Sequence, residues 1–143
     1  MKAFKIAGAA ALIGIALSTQ AFAQDGDAAA GEKVFKKCMA CHKVGEGAKN
    51  AVGPILNGIV GRPAGQVEGF KYSQINQNAG AAGLIWTEEN ILAYLPDPNG
   101  FLKKFLTDGG KADQIAGATK MTFKLADETE RKNVIAYLKT FAK

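Results

Sequence analysis

The sequence predicts an all-α domain, and three observations carry that reading. Apolar side chains recur at helical spacing in several separate stretches. Residues suited to helix caps and breaks bracket those stretches. No run alternates apolar with polar in the way a half-buried strand does. The connections between the helical stretches are rich in glycine, and no internal repeat is evident.

Residues 1–23 read as a cleaved secretory signal. Lys2 and Lys5 form a positive start, Ile6 to Leu17 is an uncharged apolar run, and Ser18-Thr19-Gln20 is a polar end. Ala21-Phe22-Ala23 supplies the small-x-small cleavage pattern, which puts the mature start at Gln24. The apolar run is too short for a bilayer span of about 20 residues, which favours cleavage over a retained anchor. No later stretch is suited to crossing a membrane. Residues 24–143 then make a single domain. Losing Lys2 and Lys5 takes two positive charges from a net of +5, leaving +3. The lysines are spread along the chain, and no basic stripe interleaves with aromatics, so nucleic-acid binding is not expected.

Asp27 is placed to cap a first helix from Ala28 to Lys37, with Gly31, Val34, Phe35 and Cys38 on one face. Gly31 weakens a helix, so its expected purpose is the close approach of another helix. From Val44 to Gly69 the chain is glycine-rich and loop-like, unable to bury much by itself. Such a stretch makes sense as a wrap around a large apolar ligand. Within it Pro54 offers a carbonyl, and Arg62 is a fixed cation suited to a carboxylate. Thr87 caps a short helix, Glu88 to Leu95, that Pro96 and Pro98 stop. A further amphipathic segment carries Phe101, Leu102, Phe105 and Leu106 and ends at Gly109-Gly110. Residues 111–126 read as irregular. Asp127 to Glu130 resembles a capping box, opening a last helix with Val134, Ile135, Leu138 and Phe141 on its buried stripe.

The chemistry concentrates in Cys38-Met39-Ala40-Cys41-His42. C-x-x-C-H is the attachment pattern of c-type haem. Two thiols at this spacing reach the two vinyl groups on one porphyrin edge, and the next imidazole falls beneath the iron. A redox dithiol would open a helix after a strand of a βαβ unit, and no such pattern is present. A structural zinc site wants four N/S ligands, whereas the chain holds two cysteines and one histidine.

With one histidine, a second imidazole ligand within the chain is excluded. Of three methionines, Met1 leaves with the signal and Met39 is pinned inside the attachment turn. Met121 remains, in the irregular stretch Ala118 to Phe123. Its alternative is a core gap-filler; given the haem, an iron ligand is favoured.

The mature chain resembles the class I cytochromes c, and most closely the c2 and c550 branch of α-proteobacteria. The matching pieces are Gly31 to Phe35, Cys38 to His42, Gly53 to Gly58 with Gly61-Arg62, and Gly69 to Ser73. Trp86-Thr87, Tyr94-Leu95, Lys120 to Phe123 and Ile135 to Leu138 follow in the same order. The resemblance implies a fold of several helices and glycine-rich loops wrapped around one covalently bound haem. It implies that Pro54 accepts from the other ring nitrogen of His42, and that Arg62, Tyr72 and Trp86 surround the propionates. Tyr94 would lie near the Met121 sulfur, and Gly31 and Phe35 would pack on Val134 and Tyr137. The stretch from Pro98 to Thr119 is longer than in mitochondrial cytochromes c, which leaves the path of residues 107–118 open.

The function expected is a soluble periplasmic one-electron carrier cycling Fe(III)/Fe(II), not an enzyme. Cys38 and Cys41 would bind one haem c, with His42 and Met121 as iron ligands. A gas-binding or enzymatic haem protein is the rival, separated by the response of the ferrous spectrum to CO. Suitable redox partners are a bc1 complex, a terminal oxidase, a photosynthetic reaction centre or a periplasmic dehydrogenase. The protein is expected to act as a monomer without stable membrane insertion. Lys37, Lys43, Lys120 and Lys124 flank the ligating segments and are expected to ring the exposed haem edge, steering an acidic partner.

Overall fold

The computed structural model describes residues 26–142, so the proposed signal and its cleavage site lie outside the described residues. Five α-helices are present within them: α1 (Ala28–Phe35), α2 (Gln74–Ala81), α3 (Glu88–Tyr94), α4 (Pro98–Asp108) and α5 (Glu128–Lys139). A short 3-10 turn covers Ala112–Gln114, and Pro63 and Ile85 form an isolated β-bridge rather than a strand.

The two ends of the described chain close the fold. Asp27 starts α1 by accepting from the backbone amides of Ala29 at 2.8 Å and Ala30 at 3.0 Å. Asp127 starts α5 in the same way, accepting from the Glu130 amide at 2.8 Å. The helices then cross where Gly31 meets α5. A Cβ there would run into the Asn133 carbonyl and come within 2.8 Å of the Tyr137 Cβ, so only glycine permits this approach. The Phe35 and Tyr137 rings meet 5.5 Å apart, and Val34, Phe35, Val134, Ile135 and Leu138 are buried around them. Each such side chain contributes roughly 1.5–3 kcal/mol by leaving water. Phe141, expected on the buried stripe of the last helix, instead lies two residues past the end of α5 and is half-buried, its ring 5.0 Å from that of Tyr137.

One helix was not expected from the sequence. Residues 74–81 read Gln-Ile-Asn-Gln-Asn-Ala-Gly-Ala, polar and poor in helix formers, with only Ile75 and Ala79 as an apolar pair. Both are fully buried, so packing makes this helix where propensity does not. Pro98 also does more than stop the preceding helix: α3 ends at Tyr94 and Pro98 opens α4, where its missing N–H costs nothing. Leu102 and Leu106 anchor α4 in the core. Phe101 and Phe105 stack at 6.5 Å along its inner edge, and Phe101 meets Trp86 at 6.2 Å and Tyr94 at 5.8 Å.

Residues 111–126 are irregular as expected, apart from the 3-10 turn. They run back beneath the end of α3, where the Leu125 amide donates to the Leu95 carbonyl at 2.8 Å. No helix among the described residues is long and apolar enough to cross a membrane.

Candidate haem-binding site

The attachment pentad continues α1 as one more hydrogen-bonded turn. The Phe35 carbonyl accepts from the Cys38 and Met39 amides at 2.8 and 3.1 Å. The Cys38 carbonyl accepts from Cys41 and His42 at 3.1 and 2.9 Å. Cys38, Cys41 and His42 thereby turn toward one cavity, each half-buried. Burial pushes the Cys38 thiol above its usual pKa.

His42 is oriented by the glycine-rich loop. Its Nδ1 lies 2.8 Å from the Pro54 carbonyl oxygen, and since a carbonyl only accepts, Nδ1 carries the proton. Nε2 is left with a free lone pair. Burial lowers the His42 pKa, and the Pro54 bond offsets this only in part, so the ring is neutral at pH 7 and fit to bind a metal. The loop carrying Pro54 is itself fixed. Arg62 donates to the Asn57 and Ile55 carbonyls, both at 3.0 Å, and Asn50 Oδ1 accepts from the Ile55 amide at 3.0 Å. Asn57 pairs twice with Gly45, its Oδ1 and Nδ2 each 2.8 Å from the backbone partner.

Met121 lines the same cavity from a different segment. Its amide donates to Thr119 Oγ1 at 3.3 Å, and the Thr119 amide donates to Asn99 Oδ1 on α4 at 3.1 Å. Lys120 Nζ donates to the Lys71 carbonyl at 2.5 Å. Phe35, Leu56, Ile59, Trp86, Ile91, Leu95, Val134 and Leu138 make the wall apolar.

Arg62, Tyr72, Trp86 and Tyr94 also line the cavity. Tyr72 accepts from the Val67 amide at 3.2 Å, and burial raises its hydroxyl pKa. Tyr94 is almost wholly buried, and desolvation pushes its hydroxyl up as well.

Two buried wall atoms, Ser73 Oγ and Asn76 Oδ1, have no hydrogen-bond partner among the described residues. Buried polar atoms are seldom left so, which marks this wall as one built for a further polar group. Sequence reasoning missed Asn76. No signal was available for it, because the helix that buries it is itself unmarked. Paired thiols, a free imidazole nitrogen, a thioether sulfur, an apolar wall and unmatched polar atoms together fit a covalently held haem.

The lysines fall out less evenly than expected. Lys37 and Lys120 line the cavity, but Lys37 Nζ is ion-paired to Glu130 at 2.7 Å and Lys124 Nζ to Asp97 at 2.9 Å. Lys43 Nζ donates to the Met39 carbonyl at 2.8 Å. Two of the four are therefore compensated at the surface.

A model of the cytochrome c family matches residues 28–142. The chain belongs to that family. It is 64% identical over 119 residues to cytochrome c2 iso-1 of Rhodospirillum centenum, covering 83% of this chain and 99% of that one. The structure of cytochrome c2 from Rhodospirillum centenum superposes with a TM-score of 0.81 at 65% identity, covering 82% of this chain and all of the other. Ferricytochrome c2 of Rhodopseudomonas palustris gives 0.76 at 63% identity, over 80% and 98%. This cytochrome c is thus of class I and c2-like, binds one haem c covalently, and is an electron carrier rather than an enzyme.

Proposed function

We propose that Cys38 and Cys41 form the thioether bonds, that His42 Nε2 and the Met121 sulfur are the axial iron ligands, and that the protein is a soluble periplasmic one-electron shuttle. The observation that carries this is the His42 Nδ1–H bond to Pro54, which leaves Nε2 free in a cavity shared with both cysteines and Met121. When bound, the haem supplies a Fe(III)/Fe(II) couple whose potential is raised by a methionine ligand paired with histidine. The chain's residues do the rest. The Pro54 carbonyl holds the imidazole and strengthens it as a donor. The apolar wall keeps water away, and Arg62 places a cation beside the cavity. With His42 and Met121 both committed to the iron, no position on it would be left for a substrate.

Exposed Val52 and Phe123 border the cavity beside Lys37 and Lys120, a small apolar rim with positive charge suited to brief docking. Redox proteins such as a bc1 complex, a reaction centre, a terminal oxidase or a periplasmic dehydrogenase fit that rim. Residues 1–23 would direct export and be removed.

Mass spectrometry of protein recovered from the periplasm tests the assignment directly. The expected species begins at Gln24 and carries one covalent haem, with a low-spin ferrous spectrum indifferent to CO. A chain with free or disulfide-linked Cys38 and Cys41 would overturn it.

A further inference from the structure

Gly53 is buried with its bare α-carbon against the His42 ring. A Cβ at this position would lie 2.5 Å from Cε1, 2.8 Å from Nδ1 and 3.0 Å from Nε2 of the imidazole. Carbon atoms pack best at about 3.5–4.0 Å, so no side chain fits while the ring keeps its place. The Gly53 backbone is not among the glycines with positive φ. Room, and not backbone freedom, is what requires glycine here.

Neither partner has space to retreat. The Gly53 amide donates to the Cys41 carbonyl at 2.8 Å, and the Gly53 carbonyl accepts from Ala51 at 2.9 Å. One residue on, Pro54 holds His42 Nδ1; beyond that, Ile55 is tied through its amide to Asn50 and through its carbonyl to Arg62. From the other direction, the His42 amide is bound to the Cys38 carbonyl. The loop and the attachment turn are therefore locked together on both sides of the contact.

We infer that Gly53 is a positioning residue for the proximal ligand: its absent side chain lets the imidazole lie close enough to the braced loop to make the Pro54 hydrogen bond. That bond fixes the tautomer and sets the donor strength of Nε2. The inference rests on the reading of His42 as an iron ligand, and it deepens that reading by adding what holds the ring.

The test uses ferrous holoprotein labelled with ¹⁵N at histidine. In Gly53→Ala the His42 Nδ1–H should exchange with solvent roughly tenfold faster, the size expected from weakening one hydrogen bond. The reduction potential should rise, because the imidazole becomes a poorer donor to Fe(III). Gly80→Ala is the steric control. Its new Cβ would strike the Ala64 carbonyl, and Gly80 does not line the cavity. It should lower thermal stability while leaving the potential and the Nδ1–H exchange at wild-type values.

If Gly53→Ala behaves like Gly80→Ala, Gly53 is only a packing residue and the inference fails. Should Gly53→Ala not mature, Asn50→Ala takes its place, since it frees the Ile55 amide without adding atoms near the haem. Unchanged Nδ1–H exchange in Asn50→Ala would then overturn the inference. The ligand assignment is read separately in the wild type: His42 ring signals free of any haem-induced shift would remove the assignment itself.

Discussion

Cys38 to Asn57 and Thr119 to Leu125 both supply candidate iron ligands to one cavity, and they are held by different means. The first stretch is a helical turn joined to a loop, with His42 tied through both its backbone amide and its ring, and with Arg62 and Asn50 bracing the loop behind. In the second, Met121 makes a single long amide bond to Thr119, and the tethers belong to its neighbours: Thr119 to Asn99, Lys120 to Lys71, Leu125 to Leu95. The Met121 sulfur is left to packing. His42 is thus built into the hydrogen-bonded frame, while Met121 is placed by an edge held through its neighbours.

The largest effect expected separates the two directly. His42→Ala removes the ring that Pro54 and Gly53 enclose, together with the ligand, and should yield little or no stable holoprotein. Met121→Leu keeps the apolar volume, at a packing cost below about 1.5 kcal/mol, and should yield a folded holoprotein. That variant should lose its red-edge iron–sulfur absorption band, show a lower potential and bind CO in the ferrous form. A Met121→Leu protein with wild-type potential and no response to CO would mean that Met121 is not a ligand.

The same asymmetry decides what could be read from the sequence. The proximal side was legible because its chemistry is local: five consecutive residues specify attachment, and the capped helix before them sets their orientation. The Gly31 crossing was legible too, since a glycine on the apolar face of a helix asks for a close neighbour. Met121 was reached only by elimination, through the scarcity of His and Met. What the sequence withheld is long-range. Helix α2 exists because Ile75 and Ala79 find a core to enter, and nothing in a polar, glycine-containing stretch announces that. The partners of Lys37 and Lys124, Glu130 and Asp97, lie far away in the chain, so spacing alone overstated the free positive charge. The room beside His42 that Gly53 supplies is likewise a fact of packing, invisible in a loop with many glycines.

A smaller change sharpens the comparison from the Met121 side. Asn99→Ala removes the acceptor for the buried Thr119 amide, a loss of about 1 kcal/mol. The iron–sulfur band should then disappear on heating roughly 5 °C earlier than in the wild type. Exchange of the His42 Nδ1–H should stay unchanged, because no tether on that side is touched. Equal losses on both sides would show that the two segments open together and that the distinction between them is wrong.

The smallest effect concerns encounter, where the cavity rim and the surface beyond it should differ. Lys120 lines the cavity, and its ammonium donates to the Lys71 carbonyl and lies 5.9 Å from the Phe70 ring. Lys124 is four residues on, outside the cavity wall, and paired with Asp97. Exposed pairs of that kind are weak, so Lys124 still adds to the overall field but stands away from the docking rim. Charge reversal alters the net charge equally in Lys120→Glu and Lys124→Glu, so any difference between them reports position alone. With an acidic redox partner at low salt, Lys120→Glu should slow association by about tenfold and Lys124→Glu by clearly less. The gap should shrink as ionic strength approaches about 0.15 M, where charges more than about 8 Å apart are largely screened. Stopped-flow rates across a salt series would check this. Identical slopes for the two variants would mean that the partner senses only total charge, and a rate indifferent to salt would remove steering by these lysines altogether.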